Sequence, residues 1–401
     1  MRVTHLSPSG EIGGAESVIL ACITAGDGWP GAESSVVTLA TGPFLAAAER
    51  LGARARPVEA PGTLTGLGDS FSSAASVMRR MLPLIVTFPR FFRRFSGAVS
   101  ELVPQVIHSH GIKTHVLAAL LPRRAPVVWH LHDYLGQRPM SSRLLRFLAR
   151  RCAMVIAVSE SVAADARRCL PMGLPVVVVH NSVDSERYSP EGAALDLDAR
   201  SGLPPAPSGT IRIGLPATFA RWKGHETFLE AIARLDRADV RAYVIGGALY
   251  KTSKSQWSER ELRGIVARLG LEGRVGFTGL VADMPAAYRA LDIVVHASTR
   301  PEPFGLVIPE AMSCARAVVA SPAGGAAELF VPGEHAIAAA PGDATALASA
   351  IESLLDDRTE RIAMGNRARA HVLASFGRER FAGDLRAVLS RLSVNEVAAA
   401  L

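Results

Sequence analysis

The sequence predicts an α/β protein with two Rossmann-like domains, each built on a parallel sheet wrapped by helices. Short apolar runs alternate along the chain with longer segments of helical period, a pattern typical of parallel strands joined by helices. This alternation occurs twice in succession, which favours two doubly wound sheets. The length agrees, because 401 residues exceed one ordinary core and correspond to two domains of about 200 residues each.

Each predicted strand is a short, mostly apolar run. In the first half of the chain these runs are Arg2–Leu6, Ser35–Leu39, Val106–His110, Val127–Leu131, Met154–Val158 and Val176–His180. In the second half they are Ile211–Leu215, Ala242–Gly246, Arg274–Phe277, Ile293–His296 and Ala317–Ala320. Helical patterns lie between most of them, so parallel sheets are expected in both halves.

The boundary between the two domains is predicted within Asn181–Thr210. This segment has proline at positions 190, 204, 205 and 207, a composition typical of linkers. We therefore assign residues 1–185 to the first domain and 205–378 to the second. The final helical pattern, 379–401, is predicted to pack back on the first domain.

The composition indicates a folded protein with a moderate excess of basic side chains. Apolar residues make up 49% and charged residues 20% of the chain, which argues against disorder. The net charge of +7, from 44 basic and 37 acidic side chains, suits phosphate ligands and anionic membrane surfaces. The sequence contains no aromatic-rich basic module of the RNA-binding kind, so we do not expect a nucleic-acid partner.

Cysteine spacing and the N-terminal sequence favour a cytoplasmic protein with reduced thiols. The four cysteines, at 22, 152, 169 and 314, form no C-x-x-C pair, so neither a zinc knuckle nor a disulfide scaffold is indicated. The chain enters a strand pattern directly from Met1 and lacks the apolar core of a signal peptide. No window approaches the roughly 18 apolar residues of a spanning helix.

The segment 78–103 combines basic and apolar side chains. Arginines at 79, 80, 90, 93 and 94 lie among Leu, Ile, Val and Phe. One interpretation is a patch that lies on anionic lipid or receives a lipid-linked acceptor at the inner face of the membrane. The other is an ordinary amphipathic helix pair, interrupted at Pro83 and Pro89. Exposure of four of these arginines on one face would favour the first.

The most informative motif runs from Arg300 to Met312 and places two carboxylates, Glu302 and Glu310, on either side of a loop-to-helix junction. Prolines at 301 and 303 keep the approach extended, and Gly305 allows close approach of a ligand. A helix that starts near Leu306 would present free N–H groups, a favourable position for a phosphate. The two carboxylates can accept hydrogen bonds from sugar hydroxyls. Phosphate and polyol recognition at one junction indicates a nucleotide-sugar site.

This motif and its surroundings resemble the retaining glycosyltransferase family 4 of the GT-B fold. The family pattern of two glutamates separated by seven residues, with Phe-Gly-Leu after the first, is present at 302–310. The match continues through 310–320 and then Gly324 to Glu328. The resemblance implies two facing Rossmann-like domains with an interdomain cleft. The N-terminal domain would bind the acceptor and the C-terminal domain the nucleotide sugar.

The family resemblance also extends to two glycine-containing loops. The opening loop, 10–16, contains Gly13 and Gly14 and looks like the family's first loop, which approaches the donor phosphates or the acceptor. The segment 213–225 corresponds to the diphosphate-binding loop, in which family members usually carry Arg and Lys five residues apart. Lys223 is present here, but the Arg position is Thr218. Either Arg221 supplies the second cation, or Thr218 contributes a hydrogen bond.

Histidines suggest a competing metal site. His108 and His110, and likewise His130 and His132, place two imidazoles on one face of a strand. Together with Asp133 they could bind a metal at the carboxyl ends of the strands, although such clusters also occur where parallel strands end at a polar cleft. The family resemblance favours the second interpretation, because it implies metal-independent transfer without a cofactor and places His132 near the reacting sugar. A further Asp-x-Asp spacing at 196–198 falls in the predicted linker and is discounted.

The resemblance implies a metal-independent hexosyltransferase that moves a sugar from a nucleoside diphosphate sugar to an acceptor hydroxyl with retention. The acceptor would be a glycan, glycolipid or small molecule in cell-envelope or natural-product biosynthesis. His132, Lys223 and Glu302 are the expected catalytic residues. The nucleotide sugar would be bound by Gly13, Gly14, Thr218, Arg221, Lys223, Phe304, Gly305, Leu306 and Glu310.

Two alternative functions stay open at this point. One is a nucleotide-sugar epimerase or hydrolase on the same scaffold, although the sequence shows no clear second set of acid and base groups at the sugar. The other is a nucleotide-sugar-binding protein without turnover, which the loss of the family Arg at Thr218 would favour. Lys223, Glu302 and Glu310 argue against the second alternative.

Overall fold

A computed structural model describes residues 1–27, 29, 31–65, 74–248 and 255–399. The chain forms two compact units. Unit 1 comprises Met1–Ser182 and Arg378–Leu401, and unit 2 comprises Val183–Gly377. Both units are α/β with parallel sheets, which confirms the predicted fold class. Among the described residues, no helix is long and apolar enough to cross a bilayer.

Unit 1 is built on a seven-stranded parallel sheet of order β3-β2-β1-β4-β5-β6-β7. Its strands are β1 (Arg2–Ser7), β2 (Glu33–Thr38), β3 (Arg54–Pro57), β4 (Val106–His110), β5 (Val127–Leu131), β6 (Met154–Ala157) and β7 (Val176–Val178). Its helices are α1 (Gly14–Asp27), α2 (Pro43–Arg50), α3 (Gly62–Thr65), α4 (Ala74–Glu101), α5 (Ile112–Leu120), α6 (Pro139–Leu148) and α7 (Glu160–Cys169). The sheet order reverses beside β1, which is the point at which doubly wound sheets bind ligands.

Unit 2 is built on a six-stranded parallel sheet of order β10-β9-β8-β11-β12-β13. Its strands are β8 (Ile211–Pro216), β9 (Val240–Ile245), β10 (Val275–Gly279), β11 (Ile293–His296), β12 (Ala317–Ala320) and β13 (Ile337–Ala338). Its helices are α8 (Leu197–Ser201), α9 (His225–Arg234), α10 (Glu259–Arg268), α11 (Met284–Arg289), α12 (Val307–Ser313), α13 (Ala344–Asp356) and α14 (Arg358–Ser375). The last helix, α15 (Arg378–Ala399), belongs to unit 1.

Both faces of each sheet are covered by helices, so the central strands are buried and mostly apolar. In unit 1, Val106 on β4 and Val128 on β5 pack with Phe381 and Leu385 of α15 in one buried cluster. The final helix therefore contributes directly to the core of the first sheet. In unit 2, the corresponding core includes Phe228 of α9 with residues of β8, β11 and α13.

Most of the segment predicted as a linker lies in unit 2. Helix α8 begins after Asp196, whose side chain accepts a hydrogen bond from the Ala199 amide. Asp198 is buried and binds Arg241 at 2.6 Å and the Tyr243 hydroxyl at 2.6 Å. The two aspartates of the Asp-x-Asp spacing thus cap a helix and hold it to β9. The prolines of this segment indicated irregular backbone, but not its packing on the second sheet.

Candidate functional site

The polar groups of unit 2 converge at the carboxyl ends of three neighbouring strands, β8, β11 and β12. The chain leaves β8 and forms a 3₁₀ turn at Arg221–Lys223. Gly224 follows with φ of +75°, and a Cβ atom there would lie 1.8 Å from the carbonyl oxygen of Ala297. Only glycine fits this contact, which holds the turn against the loop that follows β11.

Lys223 and Glu302 form a bidentate ion pair at this edge of the sheet. The Lys223 ammonium lies 2.8 Å from both carboxylate oxygens of Glu302. It also lies 4.1 Å from the centre of the Trp222 ring. The carbonyl oxygen of Trp222 accepts a 2.8 Å hydrogen bond from the Thr299 amide, which ties the two loops together. A loop after β8 and a loop after β11 therefore present one charged pair.

Glu302 is buried in a polar environment. The Ser298 hydroxyl donates to Oε2 at 2.8 Å, and Nε2 of His296 lies 3.2 Å from the same oxygen. Burial alone would raise the pKa of Glu302, but the Lys223 ammonium and His296 hold it well below its usual range. Glu302 is therefore a carboxylate at neutral pH. Gly305 has φ of +92°, and a Cβ atom there would lie 3.2 Å from Cγ of Glu302.

The junction predicted to bind phosphate is present, and α12 begins at Val307, one residue beyond the position expected from the sequence. Phe304 is buried, and its ring lies edge-on to that of Phe376 at 6.1 Å between centroids. Gly305 and Leu306 are partly exposed. The Phe304 side chain therefore anchors the loop, while the backbone beyond it remains accessible.

Glu310 lies inside α12 and contacts two tyrosines. The Tyr288 hydroxyl donates to its Oε2 at 2.8 Å, and the Tyr188 hydroxyl also hydrogen-bonds to this carboxyl group. Burial raises the pKa of Glu310 to about 7, against these hydrogen bonds and the nearby Arg187, which lower it. A ribose hydroxyl bound here would share the carboxyl group with both tyrosines.

Arg221 lies apart from the Lys223–Glu302 pair. Its guanidinium stacks over the Trp257 ring at 3.8 Å and donates to Glu261 at 2.8 Å. Its backbone amide donates to the Ser255 carbonyl, so side chain and backbone both hold the segment before α10. Thr218 is partly buried in the loop between β8 and this turn. The structure thus brings Lys223, and not Arg221, to Glu302.

In unit 1, the glycine loop folds onto Glu16. The Gly13 amide donates to Oε2 of Glu16 at 3.2 Å, and the Ser7 hydroxyl donates to Oε1 at 2.8 Å. Gly14 begins α1. Beside this loop lies a cavity of about 300 Å³, whose lining includes Ser9, Gly10, Glu11, Thr41 and Lys113. The loop and the cavity lie near the reversal in strand order.

His132 belongs to a cluster of five imidazoles on one face of the first sheet. Its Nε2 lies 2.9 Å from Nδ1 of His110, whose Nε2 lies 3.4 Å from Nδ1 of His5. His108 and His130 are fully buried and complete the cluster. Burial lowers the pKa of His5 and of His132 to about 4, and holds those of the other three well below 6.5. All five rings are neutral at pH 7.

The cluster has the donor atoms of a metal site, but the lone pairs of its ring nitrogens do not all point toward one position. One ring nitrogen from each of His108, His110 and His130 lies within 4.8 Å of the others. The rings of His108 and His130, however, are stacked 5.1 Å apart with only 6° between their planes. The in-plane lone pairs of parallel rings do not meet at one point, so ligation by both would require a ring to turn.

Several residues of the site are not marked by any of the motifs in the sequence. His296 ends β11, and Ser298 follows two residues later, as polar residues at the end of a central strand often do. Tyr188 and Tyr288 approach Glu310 from segments about 100 residues apart, which no local pattern reveals. Trp222 precedes Lys223 directly, so its place near the ammonium could have been expected from the sequence.

Comparisons with known proteins cover both units. The family model described as Glycosyltransferase Family 4 matches residues 12–187, and that described as Glycosyl transferases group 1 matches residues 205–371. The lipopolysaccharide core biosynthesis mannosyltransferase LpcC of Rhizobium leguminosarum bv. viciae is 31% identical, covering 76% of this chain and 95% of that protein. N-acetyl-alpha-D-glucosaminyl L-malate synthase of Bacillus anthracis is 25% identical, covering 74% and 78%.

Solved structures show the same arrangement of strands and helices over nearly the whole chain. Anabaena Alr3699/HepE in complex with UDP-glucose matches with a TM-score of 0.80 and 27% identity, covering 98% of this chain and 100% of that one. Its complex with UDP and glucose matches with a TM-score of 0.80 and 26% identity. The similarity therefore includes a protein with a nucleotide sugar bound.

Proposed function

Because the chain belongs to the GT-B glycosyltransferases of family 4, we propose that it transfers a sugar, with retention, from a nucleoside diphosphate sugar to an acceptor hydroxyl. The observation that carries this proposal is the Lys223–Glu302 pair at the carboxyl ends of β8 and β11. Such an edge is where open α/β sheets bind ligands. The nucleotide sugar bound by the Anabaena relative supports the choice of donor class.

Lys223 is the proposed cation for the leaving diphosphate. The difficult part of the reaction is negative charge that builds on the diphosphate as the bond to the sugar lengthens. A preorganised ammonium and backbone N–H groups near Gly305 and Leu306 would stabilise that charge, and such stabilisation usually contributes most to catalysis. In the free protein the ammonium is held by Glu302, so its position is fixed before the donor binds.

Glu302 is the proposed ligand of the transferred sugar. Its carboxylate would accept hydrogen bonds from sugar hydroxyls and steady positive charge at the anomeric carbon. Ser298 and His296 hold it in place from the protein side. Glu310 would accept a hydrogen bond from the ribose. With these groups the donor is bound by side chains and backbone alone, and we propose that transfer requires no metal or other cofactor.

Unit 1 is the proposed acceptor domain. The residues that line the cavity beside the glycine loop include Glu11, Thr41 and Lys113, which carry a carboxylate, a hydroxyl and an ammonium. This mixture suits a sugar or another polyol. We propose His132 as a group that positions the acceptor or the sugar. The resemblance to a lipopolysaccharide core mannosyltransferase favours a cell-envelope glycan or glycolipid as acceptor, made at the cytoplasmic face of the membrane.

Three arginines of α4 bear on the membrane contact predicted for the segment 78–103. Arg90, Arg93 and Arg94 are exposed. The side chains of residues 78–86, including two of the five arginines, lie outside the described residues. Peripheral contact through this segment therefore stays a proposal that rests on three exposed arginines.

A donor screen followed by a transfer assay tests the proposed function. Thermal shifts with UDP-, GDP-, ADP- and TDP-sugars identify the base, because a ligand at a hundred times its Kd adds about 2.7 kcal/mol of stability. Transfer of isotopic label from that donor to an acceptor then tests turnover. Glu302→Gln should abolish most transfer while the exposed control Glu334→Gln retains it. Label that remains on the nucleotide sugar as an epimer, or is released to water alone, would contradict the proposal.

A further inference from the structure

Helix α6 turns three large apolar side chains toward solvent. Met140, Leu144 and Phe147 have exposed fractions of 62%, 46% and 63%. Their spacing of four and three residues places them in one stripe along the helix. Leu145 and Leu148 are buried and attach the helix to unit 1. The outer stripe is therefore not required for packing of the helix in this unit.

Exposed arginines run alongside this apolar stripe. Arg143 and Arg146 on α6, and Arg150 in the turn that follows, are spaced by three and four residues and are all exposed. The Arg150 guanidinium lies 4.6 Å from the centre of the Phe147 ring, so the two stripes are in contact. We call Met140, Arg143, Leu144, Arg146, Phe147 and Arg150 the α6 surface.

The surrounding chain is strongly basic. Residues 111–151 contain eight Lys and Arg and a single acidic residue, Asp133, a net charge of +7 that equals the excess of the entire chain. Asp133 is itself paired with Arg138 at 2.8 Å. Arg123 and Arg124, just beyond α5, are exposed. Arg151 donates to the Ala119 and Leu121 carbonyls, which fixes the end of α5 beside the end of α6.

We propose that the α6 surface binds the surface of an anionic phospholipid bilayer. Apolar side chains next to a row of arginines are the composition of helices that lie in the membrane interface, where the apolar groups enter the acyl boundary and the cations meet lipid phosphates. A second copy of the chain is a poorer occupant, because two such basic surfaces repel each other. Nucleic acid would leave Met140 and Leu144 without an apolar partner. This proposal is independent of sugar transfer.

Vesicle co-sedimentation tests the proposal on the full chain. We expect binding to vesicles of phosphatidylcholine with about one third phosphatidylglycerol, weakening as salt rises, and little binding to phosphatidylcholine alone. The triple variant Arg143→Gln, Arg146→Gln, Arg150→Gln should bind the anionic vesicles on the order of a hundredfold more weakly. The triple variant Met140→Ser, Leu144→Ser, Phe147→Ser should lose at least about tenfold.

A matched control separates this surface from α4 and from general charge. The variant Arg90→Gln, Arg93→Gln, Arg94→Gln removes the same number of exposed cations from α4, the segment proposed above for peripheral contact, and should weaken vesicle binding less than the α6 arginine variant does. The triple variant Leu280→Ser, Val331→Ser, Ile362→Ser removes the same number of exposed apolar groups from unit 2 and should leave most vesicle binding intact. Thermal unfolding of each variant confirms that it is folded. Absence of vesicle binding by the unchanged protein, or loss confined to the α4 variant, would overturn the proposal, as would a change of oligomeric state in the α6 variants.

Discussion

The Lys223 ammonium lies 2.8 Å from both carboxylate oxygens of Glu302, so two groups separated by 79 residues form one bidentate pair. From the sequence, Lys223 is predicted to bind the diphosphate and Glu302 to bind the sugar. Their pairing means that neither group is left as an isolated buried charge in the free protein, which would be costly. When the donor binds, Lys223 has to contact the diphosphate and Glu302 the sugar. Changing either residue therefore affects both donor binding and the stability of the free protein.

Lys223→Met should impair both turnover and stability. Loss of a charged donor to the leaving diphosphate typically costs on the order of a hundredfold in turnover. Removal of one partner of a buried pair also leaves the other charge unpaired, which should lower the free energy of unfolding by about 3 kcal/mol. Steady-state kinetics and urea unfolding measure the two effects. Unchanged turnover would remove Lys223 from the diphosphate role.

The double variant Lys223→Met, Glu302→Gln separates the two effects. With both charges removed, no unpaired carboxylate remains, and most of the lost stability should return. Turnover should stay low, because neither the cation nor the carboxylate is present. Recovery of turnover together with stability would show that the pair is structural and that the chemistry lies elsewhere.

Arg221→Ala should reduce turnover less than about tenfold, which is smaller than the loss typical of a direct charged donor. The guanidinium stacks on Trp257 and binds Glu261, and it would have to leave both to reach a phosphate. We therefore expect Lys223 to supply most of the cationic stabilisation. The matched variant Glu261→Ala frees Arg221 and should not lower turnover. A loss in Arg221→Ala comparable to that of Lys223→Met would instead show that Arg221 is the second diphosphate ligand.

The central strands of both sheets were predictable, because burial on both faces makes them mostly apolar runs. Four of them, including Val106–His110 and Ala317–Ala320, have the bounds that the sequence indicates. One edge strand of each sheet was missed, whereas the other two edge strands, Val176–Val178 and Val275–Gly279, were predicted with slightly different bounds. Arg54–Pro57 is mostly exposed and polar, and Ile337–Ala338 has only two residues. Neither gives an apolar run to detect.

The site was predictable in its residue types but not in its pairings. Glutamates at 302 and 310 and the lysine at 223 stand out through local motifs. Their partners come from distant segments: Tyr188 and Tyr288 hydrogen-bond to Glu310, and Lys223 pairs with Glu302. Such contacts depend on how strands and loops are arranged in three dimensions, which a local pattern does not encode.

The histidine cluster of unit 1 predicts loss of stability in mild acid. Burial lowers the pKa of His5 to about 4, whereas the unfolded chain titrates near 6.5. The unfolded state therefore binds more protons between these values, and stability is lost as the pH falls below 6.5. From about pH 7.5 to about pH 5.5, His5 alone should cost about 1.4 kcal/mol. Urea unfolding of the protein and of His5→Phe at both pH values measures this contribution, and an equal pH dependence in the two proteins would refute it.

Glu310 should reduce stability as the pH rises, whereas the histidines reduce it as the pH falls. The variant Glu310→Gln should remove this effect. Burial raises the pKa of Glu310 to about 7 from an ordinary value of 4.5, so the folded state binds the proton more tightly than the unfolded state. Its contribution is fully favourable below pH 4.5 and is lost as the pH rises through 7. An uncharged amide has no such loss, and the variant's melting temperature relative to the unchanged protein should rise between about pH 6 and about pH 8. Glu334→Gln, an exposed carboxyl group in the same unit, serves as the control and should show no such trend. If the melting temperatures of Glu310→Gln and the unchanged protein run parallel across this range, the carboxyl group is ionised in the folded state, and its hydrogen bonds with Tyr188 and Tyr288 outweigh its burial.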